Sequence, residues 1–370
     1  MSTVLLLGST GAVGAGCLDV LGRFDGVSIV IAGRDEARLR SVAAETRADV
    51  RAAPLDVANP VDVAAAVAHC DIVVNCAGPS HEFSAPVADA ALAAGVPYVD
   101  PGGDRALLEK LGAANRSVPA IVQTGVQPGL SGLLLRALAL RRSNKIDEID
   151  AWCGGLQPLT SASVQEYLVS LHSGDGHPGA VLRGGAITRT HDPEWPSAPA
   201  RYFPGTVSVH PHLDAETVDV ADHLGINDLV WFNVLDGSRI KRAMQELASI
   251  DRHPSGTYDL SEPLAAVKLD LFGRAPYFAI VASARGESVC TTLAFTCRDS
   301  YRVTGALTAF AATHIETMPA GTHPFWTIDD PWQVMAFLAE AVPESRVSVI
   351  DDSPAADLAG STCEVEEGSL

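Results

Sequence analysis

From residue 3 to residue 142 the chain alternates short apolar runs with stretches whose apolar residues recur every three or four positions. Apolar runs of four to eight residues read as buried strands, and the longer period reads as amphipathic helix. The pattern predicts strands near 3–7, 27–32, 49–54, 71–75, 97–99 and 119–122, with helices near 11–23, 35–46, 60–68, 83–95, 103–114 and 130–142. Parallel neighbours need crossover connections, and helices supply them on both faces. The expected fold class is therefore α/β, a doubly wound parallel Rossmann sheet.

Beyond residue 142 the pattern changes. Ile146–Trp152 alternates like a half-buried strand, and Tyr277–Ala284 with Ser288–Arg298 reads as a long hairpin turning at Arg285-Gly286-Glu287. Such material predicts an inserted α+β domain with a mixed or antiparallel sheet. Helical runs at Ala306–Thr317 and Trp332–Ala341 read as a return to the first domain. The division expected is thus 1–142 plus 303–350 for a discontinuous Rossmann domain and 143–302 for a substrate-binding and dimerisation domain. The last twenty residues hold six acidic and no basic side chains, so 351–370 reads as a disordered tail.

Length and composition agree with two globular domains: 370 residues exceed one ordinary domain, with 47% hydrophobic and 19% charged residues. The net charge of −19 repels phosphate backbones and anionic membranes, so no nucleic-acid or membrane partner is expected. An anionic ligand must then be held by local amides and a local guanidinium. Seven cysteines, an odd set without a CxxC pair, disfavour a disulfide framework and a zinc ribbon and fit a reducing cytoplasm. No apolar run reaches the roughly 18 residues of a membrane span, and no basic segment leads into the first strand.

The chemistry begins where the first strand ends, in Gly8-Ser9-Thr10-Gly11-Ala12-Val13-Gly14. A glycine run between a strand and a helix lets the backbone turn tightly and approach a pyrophosphate, which free amides at the helix start stabilise. Arg34 stands twenty residues beyond Gly14, where NAD enzymes place an acid on the ribose 2′-hydroxyl. A guanidinium there can pair with a 2′-phosphate, which favours NADP(H) over NAD(H). The alternative is that Arg34 is solvated and Asp35 contacts the ribose. Asp56 and Val57 follow the third strand, beside the adenine. Asn75-Cys76-Ala77-Gly78-Pro79 follows the fourth, where the chain passes the nicotinamide end; Cys76 has no evident local base and reads as packing.

Two reductase classes are excluded. None of the six tyrosines has Lys four residues on, so the Tyr-x-x-x-Lys proton donor of short-chain dehydrogenases is missing. Semialdehyde dehydrogenases need a cysteine thiolate in mid-chain, and Gln123-Thr124-Gly125-Val126-Gln127-Pro128-Gly129 has none. Six of the eleven histidines fall between 172 and 223 without a recognised zinc spacing, so no metal is expected. His172, His177 and Arg183 lie in or beside Ser173-Gly174-Asp175-Gly176 and Gly184-Gly185, which suggests a lid carrying substrate contacts, with His172 a further candidate for proton transfer.

The glycine run, Ala32-Gly33-Arg34, Asn75–Pro79, Gly95-Val96-Pro97-Tyr98-Val99-Asp100 and Gly125-Val126-Gln127-Pro128-Gly129-Leu130 together resemble the saccharopine dehydrogenase (reductase)-like superfamily. Ala284-Arg285-Gly286 and Asp299–Gly305 are similar to that family's late hairpin and its return to the Rossmann domain. The resemblance implies that Gly8, Ser9, Thr10, Gly11, Val13, Gly14, Arg34, Asp56, Val57, Cys76, Ala77, Gly78 and Pro79 line the cofactor. It further implies that Tyr98, Asp100, Gln127 and Pro128 lie near the reacting centre, and that the second domain shapes the cleft and forms a homodimer. Gln127 departs from the acidic residue common before the Pro-Gly, as does Pro101-Gly102-Gly103-Asp104 from the usual Gly-Glu.

A ketone needs a proton donor as hydride arrives, whereas a protonated imine already carries the charge. The sequence therefore points to an NADP(H)-dependent reductase of a small-molecule C=N bond, with Tyr98 and Asp100 as orienting or proton-transfer groups. An enoyl or carbonyl reductase is the first alternative, and a non-catalytic NADP(H)-binding sensor or assembly protein the second.

Overall fold

A computed structural model describes residues 2–46, 48–113, 117–142, 145–172, 176–190, 195–249, 259–286 and 289–352. The chain divides into two compact units, one of Met1–Leu130, Ser300–Asp330 and Glu340–Val342, the other of Ser131–Asp299, Pro331–Ala339 and Pro343–Leu370.

The first unit alternates β1 (Ser2–Leu7), α1 (Ala12–Leu21), β2 (Val27–Gly33), α2 (Glu36–Glu45), β3 (Val50–Pro54), α3 (Pro60–Val67), β4 (Ile72–Asn75), α4 (Ser80–Ala93), β5 (Tyr98–Val99), α5 (Arg105–Ala113) and β6 (Pro119–Val122). The strands lie where the apolar runs predict. Val4 to Leu7 and Ile72 to Val74 are buried, as strands covered by helices on both faces must be. Local chemistry sets the helix starts: Asp35 accepts from the Arg38 amide at 3.0 Å, and Asn59 accepts from Val61 ahead of a proline at the first turn of α3. Helix α4 begins three residues before the expected position and tolerates Pro86 within it.

After α6 (Leu130–Arg141) the second unit builds its own sheet from β7 (Glu148–Leu156), β8 (His177–Pro178), β9 (Ala180–Arg183), β10 (Ala186–Arg189), β11 (Val207–Leu213), β12 (Leu229–Asp236), β13 (Tyr277–Gly286) and β14 (Val289–Cys297), with helices α7 (Ser161–His172), α8 (Ala215–Leu224), α9 (Ser238–Ser249) and α10 (Ser261–Leu271). The chain continues through α11 (Ser300–His314), β15 (Gly321–Pro324), α12 (Pro331–Ala341) and β16 (Arg346–Asp352).

In the first sheet the order is β15-β6-β5-β4-β1-β2-β3, and every pairing is parallel. From β1 the winding leaves in opposite directions, toward β2 and toward β4, which opens a crevice at the carboxyl ends of these strands. The seventh strand, β15, is an addition to the six expected. Helix α11 belongs to this unit and begins at Ser300, ahead of the expected Ala306. It lies so close to α1 that a Cβ on Gly305 would stand 2.4 Å from the Cys17 nitrogen.

The second sheet runs β10-β9-β12-β7-β13-β14-β16, with β11 also on β12 and β8 on β11. It is mixed: β7 pairs with β12 in parallel and with β13 antiparallel. Trp152, Phe203, Phe232 and Val281 lie in its core cluster. Several boundaries need correction: residues 131–141 of α6 and Pro331–Ala339 of α12, both expected in the first domain, belong to the second unit. Residues up to 350 are expected in the Rossmann domain, yet β16 pairs antiparallel with β14 and extends the second sheet, and Asp351 and Asp352 belong to it rather than to a tail. The free backbone edge of β14 decides this, since an unpaired strand edge offers its N–H and C=O groups to a further strand. Residues 353–370 lie outside the described residues. Among the described residues no helix is long and apolar enough to cross a membrane.

Candidate functional site

The turn from β1 into α1 is a built anion cradle. Gly8 takes φ of +73°, and a Cβ there would lie 2.5 Å from the Cys76 carbonyl oxygen, so only glycine permits β1 and the chain after β4 to meet. Gly14 has the same necessity from packing, with its Cβ position 2.2 Å from the Gly8 carbonyl. Gly11 differs. Its φ is −80°, and a side chain there would meet only the Gly8 carbonyl at 3.2 Å. The protein's own packing does not demand that glycine, which instead leaves the start of α1 uncovered. No side chain caps this helix and no acid stands in its first turn. The Ser9 hydroxyl is buried in the turn with no hydrogen-bond partner among the described residues. Exposed helix-start amides beside an unpartnered buried hydroxyl fit a diphosphate.

At the end of β2, Arg34 is exposed and carries no ion pair or hydrogen bond among the described residues. Asp35 accepts from the Arg38 amide through one carboxylate oxygen and so caps α2. Arg38, a residue that sequence reading passes over, donates from Nη2 to the Thr10 carbonyl at 2.9 Å and so ties α2 to the glycine turn. Its signal was its place one helical turn beyond Arg34. Asp56 is exposed and accepts from the Ala58 amide at 3.1 Å, which shapes the turn into α3, while Val57 packs against the core of this unit.

At the carboxyl ends of β4 and β5 a buried polar network joins Asn75, Tyr98 and Asp100. Tyr98 is fully buried, and Asp100 is 2% exposed. The Tyr98 hydroxyl meets the Asp100 carboxylate and lies 3.1 Å from the Ser84 carbonyl oxygen. Asn75 Nδ2 donates to Tyr98 Oη at 3.2 Å and to Asp100 Oδ2 at 2.9 Å, and its Oδ1 accepts from the Ala77 amide at 3.2 Å. The Gly102 amide donates to Asp100 Oδ1 at 2.7 Å. Burial pushes the Asp100 carboxyl up from its ordinary value, against the opposing pull of the Tyr98 hydroxyl. Burial followed by the Asp100 charge raises the Tyr98 phenol as well. Proton counting gives the same direction: one tyrosine proton cannot serve both Asp100 and the Ser84 carbonyl, whereas a protonated Asp100 lets Tyr98 donate to Ser84. Both residues thus lie in a buried network that also holds Asn75, the first residue of the segment in which the Gly78-Pro79 peptide is cis.

Cys76 lies against the thiol of Cys17 on α1, and that contact with burial holds its own thiol well above the ordinary range, consistent with a packing role rather than a nucleophile. Gln127 and Pro128 are half-buried in the loop between β6 and α6 and joined by a cis peptide. The same loop opens with Gln123, which sequence reading passes over as a site residue. It is buried at φ of +62°, donates from Nε2 to the Gly103 carbonyl at 3.0 Å, and leaves Oε1 without a partner among the described residues.

The remaining candidates belong to the second unit. His172 closes α7, and its side chain lies outside the described residues, as do Ser173, Gly174 and Asp175. His177 stands on β8 beside the buried His212, whose imidazole pKa is lowered first by burial. Arg183 ends β9 with its guanidinium 3.6 Å from Glu148 and 3.9 Å from Asp228, which accounts for it as a surface ion pair. Gly184 and Gly185, at φ of +55° and +78°, form the two-residue turn of the β9–β10 hairpin. Among the described residues no group of three or more acidic, histidine or cysteine side chains is arranged to hold a metal ion.

Comparison with known proteins agrees with this geometry. Residues 4–124 match the model of the saccharopine dehydrogenase NADP-binding domain. A lipid droplet localized protein of Caenorhabditis elegans is 31% identical over 118 residues, which cover 29% of this chain and 28% of that protein. The apo form of saccharopine dehydrogenase (L-Glu forming) from Saccharomyces cerevisiae superposes with a TM-score of 0.65 at 15% identity, covering 95% of this chain and 100% of that one. That likeness establishes a shared fold. The family match covers residues 4–124, and the chain spans 28% of the length of the curated relative it matches.

Proposed function

We propose that the chain is an NADP(H)-dependent oxidoreductase that reduces a small-molecule C=N bond. Gly8, Ser9, Thr10, Gly11, Val13 and Gly14 would hold the diphosphate, Arg34 the 2′-phosphate, Asp56 and Val57 the adenine side, and Cys76, Ala77, Gly78 and Pro79 the nicotinamide side. The bound dinucleotide supplies a hydride. What this chain contributes is orientation: the Asn75–Tyr98–Asp100 network fixes the segment that passes the nicotinamide end.

The observation that carries the C=N reading is the burial of that network. Tyr98 and Asp100, the tyrosine and acid that the strand-end motif offers for proton delivery, are engaged with each other, with Asn75 and with Gly102. A protonated imine brings its own proton and asks mainly for positioning and exclusion of water, which suits such a site better than a ketone does.

The experiment is a panel of cyclic and acyclic imines, enones and ketones with NADPH, followed by loss of NADPH absorbance. Turnover confined to imines supports the reading. Turnover of enones or ketones favours the enoyl or carbonyl alternative, and tight NADPH binding without turnover favours a sensor or assembly protein. The same reading makes the enzyme a cytoplasmic homodimer with no nucleic-acid partner, supported by the odd cysteine set, the −19 charge and the family resemblance. The name of the Caenorhabditis elegans relative gives lipid droplets as the competing location, and cell fractionation separates the two.

A further inference from the structure

Arg38 sits where local helix physics disfavours it. It is the third residue of α2 after the Asp35 cap, the position at which a Glu or Gln would complete a capping box. A cation in the first turn opposes the helix dipole, and an arginine cannot accept the free amide of the cap residue. Residues that break a local rule in this way mark function more often than folding. The guanidinium does not turn away into solvent. Its Nη2 donates to the Thr10 carbonyl in the glycine turn, 2.9 Å away, which holds the remaining donors beside the cradle.

Among the described residues neither neighbouring acid forms an ion pair with the Arg34 or Arg38 guanidinium. Asp35 accepts from the Arg38 amide, and Glu36 pairs with Arg40 at 2.5 Å. Arg34, one turn back, is exposed with no partner among the described residues. Two guanidiniums thus flank the end of β2 in a chain of net charge −19, where an anion must be held by local positive charge. We propose that Arg38 is a specificity-determining residue that joins Arg34 in gripping the 2′-phosphate of NADP(H), with the Thr10 carbonyl as its anchor. The proposal rests on the reading of the glycine turn as the coenzyme cradle, and it assigns to Arg38 a role separate from that of Arg34.

The test is calorimetric titration of the full-length chain and its Arg38→Met, Arg38→Lys and Arg34→Met variants with NADPH and with NADH. Loss of a charge-assisted bond to phosphate weakens binding about tenfold to a hundredfold. Arg38→Met should therefore weaken NADPH by that factor and NADH by less than about threefold, with Arg38→Lys in between. Added salt should narrow the difference. Equal weakening of both coenzymes in Arg38→Met would make Arg38 a brace for the turn and overturn the proposal, as would unchanged NADPH binding. A wild-type chain that binds neither coenzyme would overturn the cradle reading itself, a result distinct from either. Arg38 is exposed, so thermal unfolding of Arg38→Met should match wild type; should that variant misfold, the lysine variant carries the comparison.

Discussion

Asn75 Nδ2 donates to Asp100 Oδ2 at 2.9 Å, joining the last residue of β4 to the residue that follows β5. The bond fixes two strand ends at the crevice side of the sheet, and Asn75 spends its other amide atom on the Ala77 amide. One side chain therefore sets both the strand spacing and the path of the segment leading to Pro79. Everything this network does for the cofactor side it does from the interior.

Because burial raises the Asp100 carboxyl above its unfolded value, the protonated form is favoured in the folded chain. The stability it confers is fully present below the unfolded value near 4 and is lost as pH rises toward the higher folded value. Asp100→Asn removes one acceptor, which should cost about 1–3 kcal/mol at pH near 4 and less at pH near 7, where wild type must bury the charge. Urea unfolding of both proteins across this range checks it; a gap that widens with pH would contradict the assignment.

Tyr98→Phe keeps the ring in the core and removes only the hydroxyl shared with Asp100, Asn75 and Ser84. A buried acceptor is left unmatched, so stability should fall by about 1–3 kcal/mol. Coenzyme affinity should change by less than about threefold, since the phenol does not reach the crevice surface. Denaturant unfolding and NADPH titration read the two quantities separately, and unchanged stability with a collapse of turnover would restore Tyr98 to proton transfer.

Much of the first unit was legible because the period of apolar residues switches cleanly between strand and helix. The exceptions have physical causes. Strand β15, four residues containing His323 and Pro324, shows no apolar alternation and exists through its pairing with β6. Strand β16 alternates legibly, but alternation cannot say which sheet it joins. The start of α11 was hidden by Gly305, which reads as a helix breaker alone and is required only by the approach of α1. At the glycine turn, Gly8 and Gly14 were readable because backbone geometry and packing dictate glycine there. The burial of Tyr98 and Asp100, and the tether of Arg38 to Thr10, depend on neighbours distant in sequence.

The glycines of the turn separate binding from folding. Gly11→Val introduces a side chain at φ of −80°, where its Cβ would meet only the Gly8 carbonyl oxygen, at 3.2 Å, so unfolding free energy should fall by about 1 kcal/mol. The branched side chain would cover the helix-start amides, and NADPH affinity should drop by about a hundredfold or more. Gly14→Ala does the reverse: its Cβ would lie 2.2 Å from the Gly8 carbonyl, and the turn must shift at a loss of about 1–3 kcal/mol. Calorimetry and urea titration of both variants should show these opposite profiles.

Gln123 combines a left-handed backbone at φ of +62° with one satisfied and one unsatisfied amide atom. The conformation disfavours any residue with a Cβ by about 1–2 kcal/mol, a penalty that glycine escapes. Gln123→Ala keeps the strain and loses the bond to Gly103, a loss of about 1 kcal/mol. Gln123→Gly loses the same bond and relieves the strain, so it should unfold at nearly the wild-type denaturant concentration and be more stable than the alanine variant by about 1 kcal/mol. Equal stability of the two variants would mean that the loop relaxes once the side chain is gone, and that the amide, rather than the backbone, holds the turn at the end of β6.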